Sequence, residues 1–159
     1  MQALFDEFFG PSSDFHDLPR IVLRLVVAAV VGGAIGIQRQ LTGKSAGLRT
    51  HMLIAMGTTL FVLSSTAFGM QADVVARIIQ GIATGVGFLG AGAIIKLPQD
   101  LEIFGLTTAA GIWMTAAAGV SVGIGHYWSA VLAVVCAWLV LAALVPLERR
   151  LHAPHHDHG

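Results

Sequence analysis

Charge is scarce in this chain: Asp, Glu, Lys and Arg make up 11% of its 159 residues, against roughly 25% in an ordinary soluble domain. A water-facing surface cannot be built from so little, and a mean hydropathy of +0.78 with 55% hydrophobic residues says the same. Neither sign predominates. Nine basic residues balance nine acidic ones, so the basic stripe that nucleic-acid binding requires is missing and no nucleic-acid partner is expected. The single cysteine, Cys136, excludes an internal disulfide and a cysteine-based zinc site. No HExxH, GxSG or GxGD string occurs, so an intramembrane enzyme has no support. No catalytic residue, metal site or cofactor is expected.

In place of charge there is apolar length. Five runs, Ile21–Ile37, Met52–Phe68, Ile78–Ile95, Leu106–Ile124 and Trp128–Val145, are each 17 to 19 residues long. At ~1.5 Å rise per residue, each nearly covers the ~30 Å hydrocarbon thickness of a bilayer. The expected fold is therefore an all-α polytopic membrane protein with five transmembrane helices, at about 20–38, 50–68, 74–96, 105–124 and 127–147. Residues 149–159, with His152, His155, His156 and His158, read as a short solvated tail.

Residues 1–19 are acidic and aromatic and lack the basic start and small-residue cleavage site of a signal peptide, so they are expected to be retained. Phe5, Phe8 and Phe9 share one helical face with Asp6 and Glu7 opposite, which suits a short interfacial helix ended by Gly10-Pro11. Asp17 then reads as a cap, with Pro19 in the first turn of the first span. Threading the spans alternately puts Arg39, Lys44, Arg49, Lys96, Arg149 and Arg150 on one side and Arg20, Arg24 and Arg77 on the other. Lys/Arg excess marks the cytoplasmic side, so the N-terminus is expected outside and the C-terminus inside.

Two tetrapeptides suggest an internal repeat. Gly47-Leu48-Arg49-Thr50 and Gly105-Leu106-Thr107-Thr108 both open outward-going spans, and glycine pairs, Gly33/Gly36 and Gly87/Gly90, close the inward-going ones. Two parallel hairpins followed by a fifth helix fit this pattern. Helix starts present free N–H groups and a positive dipole end, so two of them facing each other, with Thr50 and Thr108 beside them, would form an inner polar patch. The third span is densest in small residues, with Gly81, Gly85, Gly87, Gly90 and Gly92. Such a face allows backbone-to-backbone helix contact in lipid, and Gly32-xxx-Gly36 of the first span is its expected match. Gly85-Val-Gly87-Phe-Leu-Gly90 also spells a dinucleotide fingerprint, and Gly43-Lys44-Ser45 the end of a phosphate loop. Neither has the required context: the first lies in an apolar helix, and Gln38 stands where the second needs its leading glycine.

The remaining charges need partners. Asp73 and Arg77 are spaced to pair across one helical turn. Arg24 is expected to snorkel outward or to lean on Asp17 or Asp73. On the inner side Arg39 or Arg49 is expected to pair with Glu102, tying the hairpins together. No carboxylate lies mid-span, where proton- and cation-coupled transporters usually place one.

Taken in order, Gly32–Arg39, Ala46-Gly47-Leu48-Arg49-Thr50, Leu60-Phe61, Asp73 through Arg77, Gly85–Gly92 and Gly105-Leu106-Thr107-Thr108-Ala109-Ala110 resemble the MgtC/SapB membrane-protein family over about Arg20 to Leu147. The resemblance implies a bacterial inner-membrane protein with five spans, associated with adaptation to magnesium limitation and with regulation of partner membrane proteins. Longer members add a cytoplasmic domain, and a function residing there is not expected of a chain ending just after Arg150. The resemblance also implies an acidic residue directly before Arg39, where this chain has Gln38; a direct magnesium-binding role at that position is therefore not expected. The functional motif residues are taken as Gln38, Arg39, Arg49, Thr50, Asp73, Arg77, Gly85, Gly87, Gly90, Gly92, Glu102, Thr107 and Thr108. Two readings follow. One is a regulator that packs against another membrane protein or a second copy of itself, and the other a small ion or metabolite transporter with its site at the GLxT helix starts.

Overall fold

A computed structural model describes residues 13–67, 71–96 and 103–143. They form five helices: α1 (Ser13–Leu41), α2 (Leu48–Ala67), α3 (Ala72–Gly92), α4 (Leu106–Ile124) and α5 (Tyr127–Trp138), the last running into a wider π turn at Leu139–Ala143. The β1 (Ile95–Lys96) and β2 (Ile103–Phe104) dipeptides pair antiparallel between α3 and α4. Three helical stretches are long and apolar enough to cross a membrane: Asp17–Leu41 in α1, all of α3 and all of α4. In α5 the shorter stretch Tyr127–Ala142 is similarly apolar.

Helix ends depart from the sequence expectation in α1, in α3 and in the fifth span, expected over 127–147, where the α-helix gives way to the π turn after Trp138. α1 begins at Ser13, so Asp17 is not its cap and Pro19 lies inside the helix. A proline there forfeits one backbone hydrogen bond, which the apolar length beyond it outweighs. α3 stops at Gly92 rather than continuing to 96, because the backbone of Ile95 and Lys96 pairs with Phe104 and Ile103 instead. The interfacial helix expected around Phe5–Phe9 and the histidine tail lie outside the described residues.

Two helices end by the same device. After α1, Gly43 adopts φ +68° while its N–H donates to the Gln40 carbonyl and the Lys44 N–H to the Arg39 carbonyl. After α4, Gly125 adopts φ +98° with its N–H donating to Val122 and the His126 N–H to Ser121. These are Schellman closures, which need a residue tolerant of left-handed backbone, and glycine meets that need without a Cβ clash.

The interior is built from small residues. Ala28, Val31, Ala55, Ala118, Val122 and Ala130 form a cluster shared by α1, α2, α4 and α5. On α1, a Cβ at Gly32 would collide with the His51 carbonyl, and one at Gly36 would lie 2.7 Å from the Leu48 Cα, so α1 and α2 touch backbone to backbone. On α4, a Cβ at Gly119 would strike Thr58 and the Ala55 carbonyl, and one at Gly123 would come within 2.7 Å of Val62. The large apolar side chains point the other way: Val30, Leu53, Phe61, Phe88 and Trp128 are all exposed. Small inside and large outside is the distribution expected where hydrocarbon surrounds the helices and close approach holds them together.

The expected pairing of Gly32/Gly36 with the α3 glycines is not what forms. The α1 glycines meet α2, and at Gly81, Gly85, Gly87 and Gly92 no atom of the other described residues, beyond the helix's own backbone and the adjoining residues, lies within 4 Å of where a Cβ would stand. Gly90 alone of the α3 row packs on a neighbour, with Ala109 of α4 3.5 Å away. The turn that joins α1 to α2 is short and holds them side by side; a small-residue pattern sets how close a helix can come, not which helix comes.

Candidate functional site

At the end of the bundle where α1 finishes and α2 and α4 begin, four polar side chains are buried, and three of them, Arg39, His51 and Thr108, meet. Gln38 and Arg39 come from the last turns of α1, His51 from the first turn of α2, and Thr108 from the first turn of α4. Arg39 is 2% exposed, and its Nη2 donates to the Thr108 hydroxyl at 2.9 Å. His51 is fully buried, with Nδ1 2.9 Å from the Gly47 carbonyl. A carbonyl only accepts, so Nδ1 carries the proton. Gln38 donates its amide to the Leu141 carbonyl at 3.2 Å, a donor that a carboxylate at this position lacks. Gln38 Oε1, Arg39 Nε and His51 Nε2 are buried without a hydrogen-bond partner among the described residues.

A cation beside the first turn of α4 faces the positive end of that helix, so Arg39 stands there against the dipole. The hydroxyl of Thr108 provides the acceptor that makes the position tenable. Among the described residues the one ion pair is Asp73–Arg77, at 2.8 Å on the exposed start of α3. Glu102, the partner expected for an inner arginine, lies outside the described residues; Arg39 is instead bonded to Thr108.

The two tetrapeptides do not contribute alike. Both helices begin at the leucine, Leu48 and Leu106, directly after glycine. Yet Thr108 is buried while Thr107, Arg49 and Thr50 are exposed. In α2 it is the next residue, His51, that turns inward, a rotation of ~100° per residue fixed by the contact of α2 with Gly32 and Gly36. The polar patch at these helix starts thus comprises Thr108 and His51 rather than Thr108 and Thr50.

The opposite end of the bundle holds a second buried arginine. Arg24 neither snorkels nor leans on Asp17 or Asp73; its Nη1 donates to the Gly123 carbonyl in the last turn of α4 at 2.6 Å. There a cation meets the negative end of the helix dipole and one of its free carbonyls. α1 therefore binds both ends of α4, which it meets antiparallel.

Sequence reasoning missed the α4 row Gly111, Thr115, Gly119 and Gly123, all buried and spaced every four residues along one face. That spacing was the available signal. Thr59 adds a link across the same contact, donating to the Gly119 carbonyl at 2.7 Å. Among the described residues no group of three His, Cys, Asp or Glu side chains is placed to hold a metal ion.

The sequence profile of the MgtC family matches residues 25–150, which takes in every helix described above from Leu25 onward. The chain belongs to the MgtC family. Its relatives include YhiD of Escherichia coli K12, provisionally named a magnesium transporter, which is 46% identical over 82% of this chain and 63% of its own length. SrpB of Synechococcus elongatus is 37% identical over 89% of this chain and 82% of its own length. MgtC of Salmonella typhimurium is 39% identical over 76% of this chain and 52% of its own length. This family member thus spans about three-fifths of YhiD and about half of MgtC. No solved structure matches it. Family membership and its apolar helices make it a membrane protein.

Proposed function

We propose that this protein is a five-span protein of the bacterial inner membrane that regulates a partner membrane protein in magnesium or ion homeostasis. The observation that carries this reading is the open face of α3. Among the described residues Gly81, Gly85, Gly87 and Gly92 have no neighbour where a Cβ would stand, and Gly81 and Gly85 line a groove of about 560 Å³ between α2 and α3 with Leu53, Phe61, Ile78 and Leu89. Within hydrocarbon, an uncovered small-residue face is a place for another helix, because packing rather than water exclusion drives association there. The link to magnesium rests on the name of YhiD and on the family resemblance. The occupant is a helix of a different membrane protein or of a second copy, and the chain itself performs no enzymatic reaction.

The finer topology belongs to the same proposal. Five spans, with the N-terminus outside and the C-terminus cytoplasmic, follow from the five apolar runs and the arginine distribution. The two-hairpin repeat is supported by the matching glycine-leucine starts of α2 and α4. Introducing Leu at Gly85 fills the groove with a side chain that has space in the isolated chain. The expected result is a folded protein that no longer co-purifies in mild detergent with whatever the unaltered chain retains. Unchanged co-purification would count against the reading.

A transporter is the second reading, favoured by one specific observation, the buried cluster of Arg39, His51 and Thr108 with its unpartnered atoms. Ion flux in proteoliposomes reconstituted from pure protein separates the two. A regulator gives none.

A further inference from the structure

We infer that two copies of this chain pair in parallel through α3, along a seam of Asp73, Arg77, Gln80, Thr84, Gly87 and Ala91, with the two Gln80 carboxamides bonded to each other. These residues recur at alternating four- and three-residue steps, the 3.5-residue period that keeps a left-handed two-helix contact in register. All six are exposed. Val86 is buried with Ile112 and Ala116 of α4, and Ile82 packs against that cluster. At ~100° per residue, Thr84 stands ~200° around the helix from each, so the seam looks away from the bundle. None of the six lines the groove between α2 and α3.

Gln80 makes this more than an idle lipid-facing surface. It lies within one turn of Ile82, the midpoint of α3, and ~12 Å along the helix from Ala72, in a stretch long and apolar enough to cross a membrane. A carboxamide turned to hydrocarbon there leaves its donors and its acceptor unmet, which is costly. Thr84 does not relieve it, because its hydroxyl donates to the Gln80 backbone carbonyl at 3.0 Å. A partner must therefore present a polar group at that same depth. Copies of one chain insert in one orientation, so a second α3 brings Gln80 level with Gln80. A carboxamide both donates and accepts, which makes it complementary to itself. The ends of the seam suit the same partner: Asp73 and Arg77 supply both signs of charge, so two copies do not repel, and Gly87 and Ala91 let the backbones approach. This contact does not depend on what fills the groove.

The test counts copies. The pure full chain, carrying one fluorophore at its N-terminus and reconstituted in vesicles at falling protein-to-lipid ratio, should bleach in two steps until dilution separates the pairs. Gln80→Leu keeps the bulk of an exposed side chain and removes the carboxamide, and pairing should weaken about tenfold. Gly85→Leu fills the groove and should leave pairing unchanged, so failure of the groove reading and failure of the seam are told apart. Single-step bleaching of the unaltered chain at every ratio would overturn the inference, as would unchanged pairing in Gln80→Leu. Pairing lost in Gly85→Leu but kept in Gln80→Leu would overturn it in favour of the groove as the contact. Should Gln80→Leu not fold, Gly87→Cys combined with Cys136→Ser decides: mild oxidation should join two copies by a disulfide, and its absence would equally overturn the seam.

Discussion

Individual residues carry unequal weight at the polar end of the bundle. Thr108 is the acceptor for a buried guanidinium, and a hydrogen bond to a charged group contributes about 1.5–3 kcal/mol. Thr108→Val keeps the shape and removes the acceptor, so thermal unfolding in detergent should register a loss of that size. Thr50→Val should leave it unchanged, since Thr50 is exposed. Sequence symmetry between the two GLxT strings made these threonines look equivalent. What broke the equivalence was the packing of α2 on Gly32 and Gly36, which turns His51 inward, and no local string encodes a rotation imposed by a neighbour. The Asp73–Arg77 pair, by contrast, was legible because its partners share one helix and one turn. Both side chains are well over half exposed, and Asp73→Asn should alter stability too little to measure.

At the scale of elements, glycine has opposite meanings in α3 and α4. A methyl at Gly119 would collide with Thr58 and the Ala55 carbonyl, and overpacking of this kind costs about 1–3 kcal/mol. A methyl at Gly85 meets open space. Gly119→Ala should therefore destabilise the folded chain while Gly85→Ala should not, and a melting comparison of the two variants checks this directly. The five helices themselves were readable from hydropathy alone, with ends within a few residues except at Ser13, at Gly92 and in the fifth helix, whose α-helical part stops at Trp138. Their partners were not. Apolar periodicity says which residues leave water, but in lipid every face is tolerable, and contact is decided by shape complementarity between segments far apart in the chain.

For the molecule as a whole, the helices are unequally held. Half of the apolar stretch of α4 is buried, against 17% for α3. Local opening follows such differences, so backbone amides of α3 should exchange hydrogen faster than those of α4 when the protein is held in lipid, and equal protection would contradict this account. The least buried helix is also the one with the uncovered glycine face. The rest is pinned lengthwise. Arg24 and Arg39 stand fifteen residues apart on α1, and so do their partners Gly123 and Thr108 on α4. Two matched anchors ~22 Å apart act as a vernier: a slide of one notch, ~1.5 Å, strains both bonds together. Piston motion of α1 along α4 is thereby opposed, while α3, with 17% of its apolar stretch buried, is held by no such pair of anchors among the described residues.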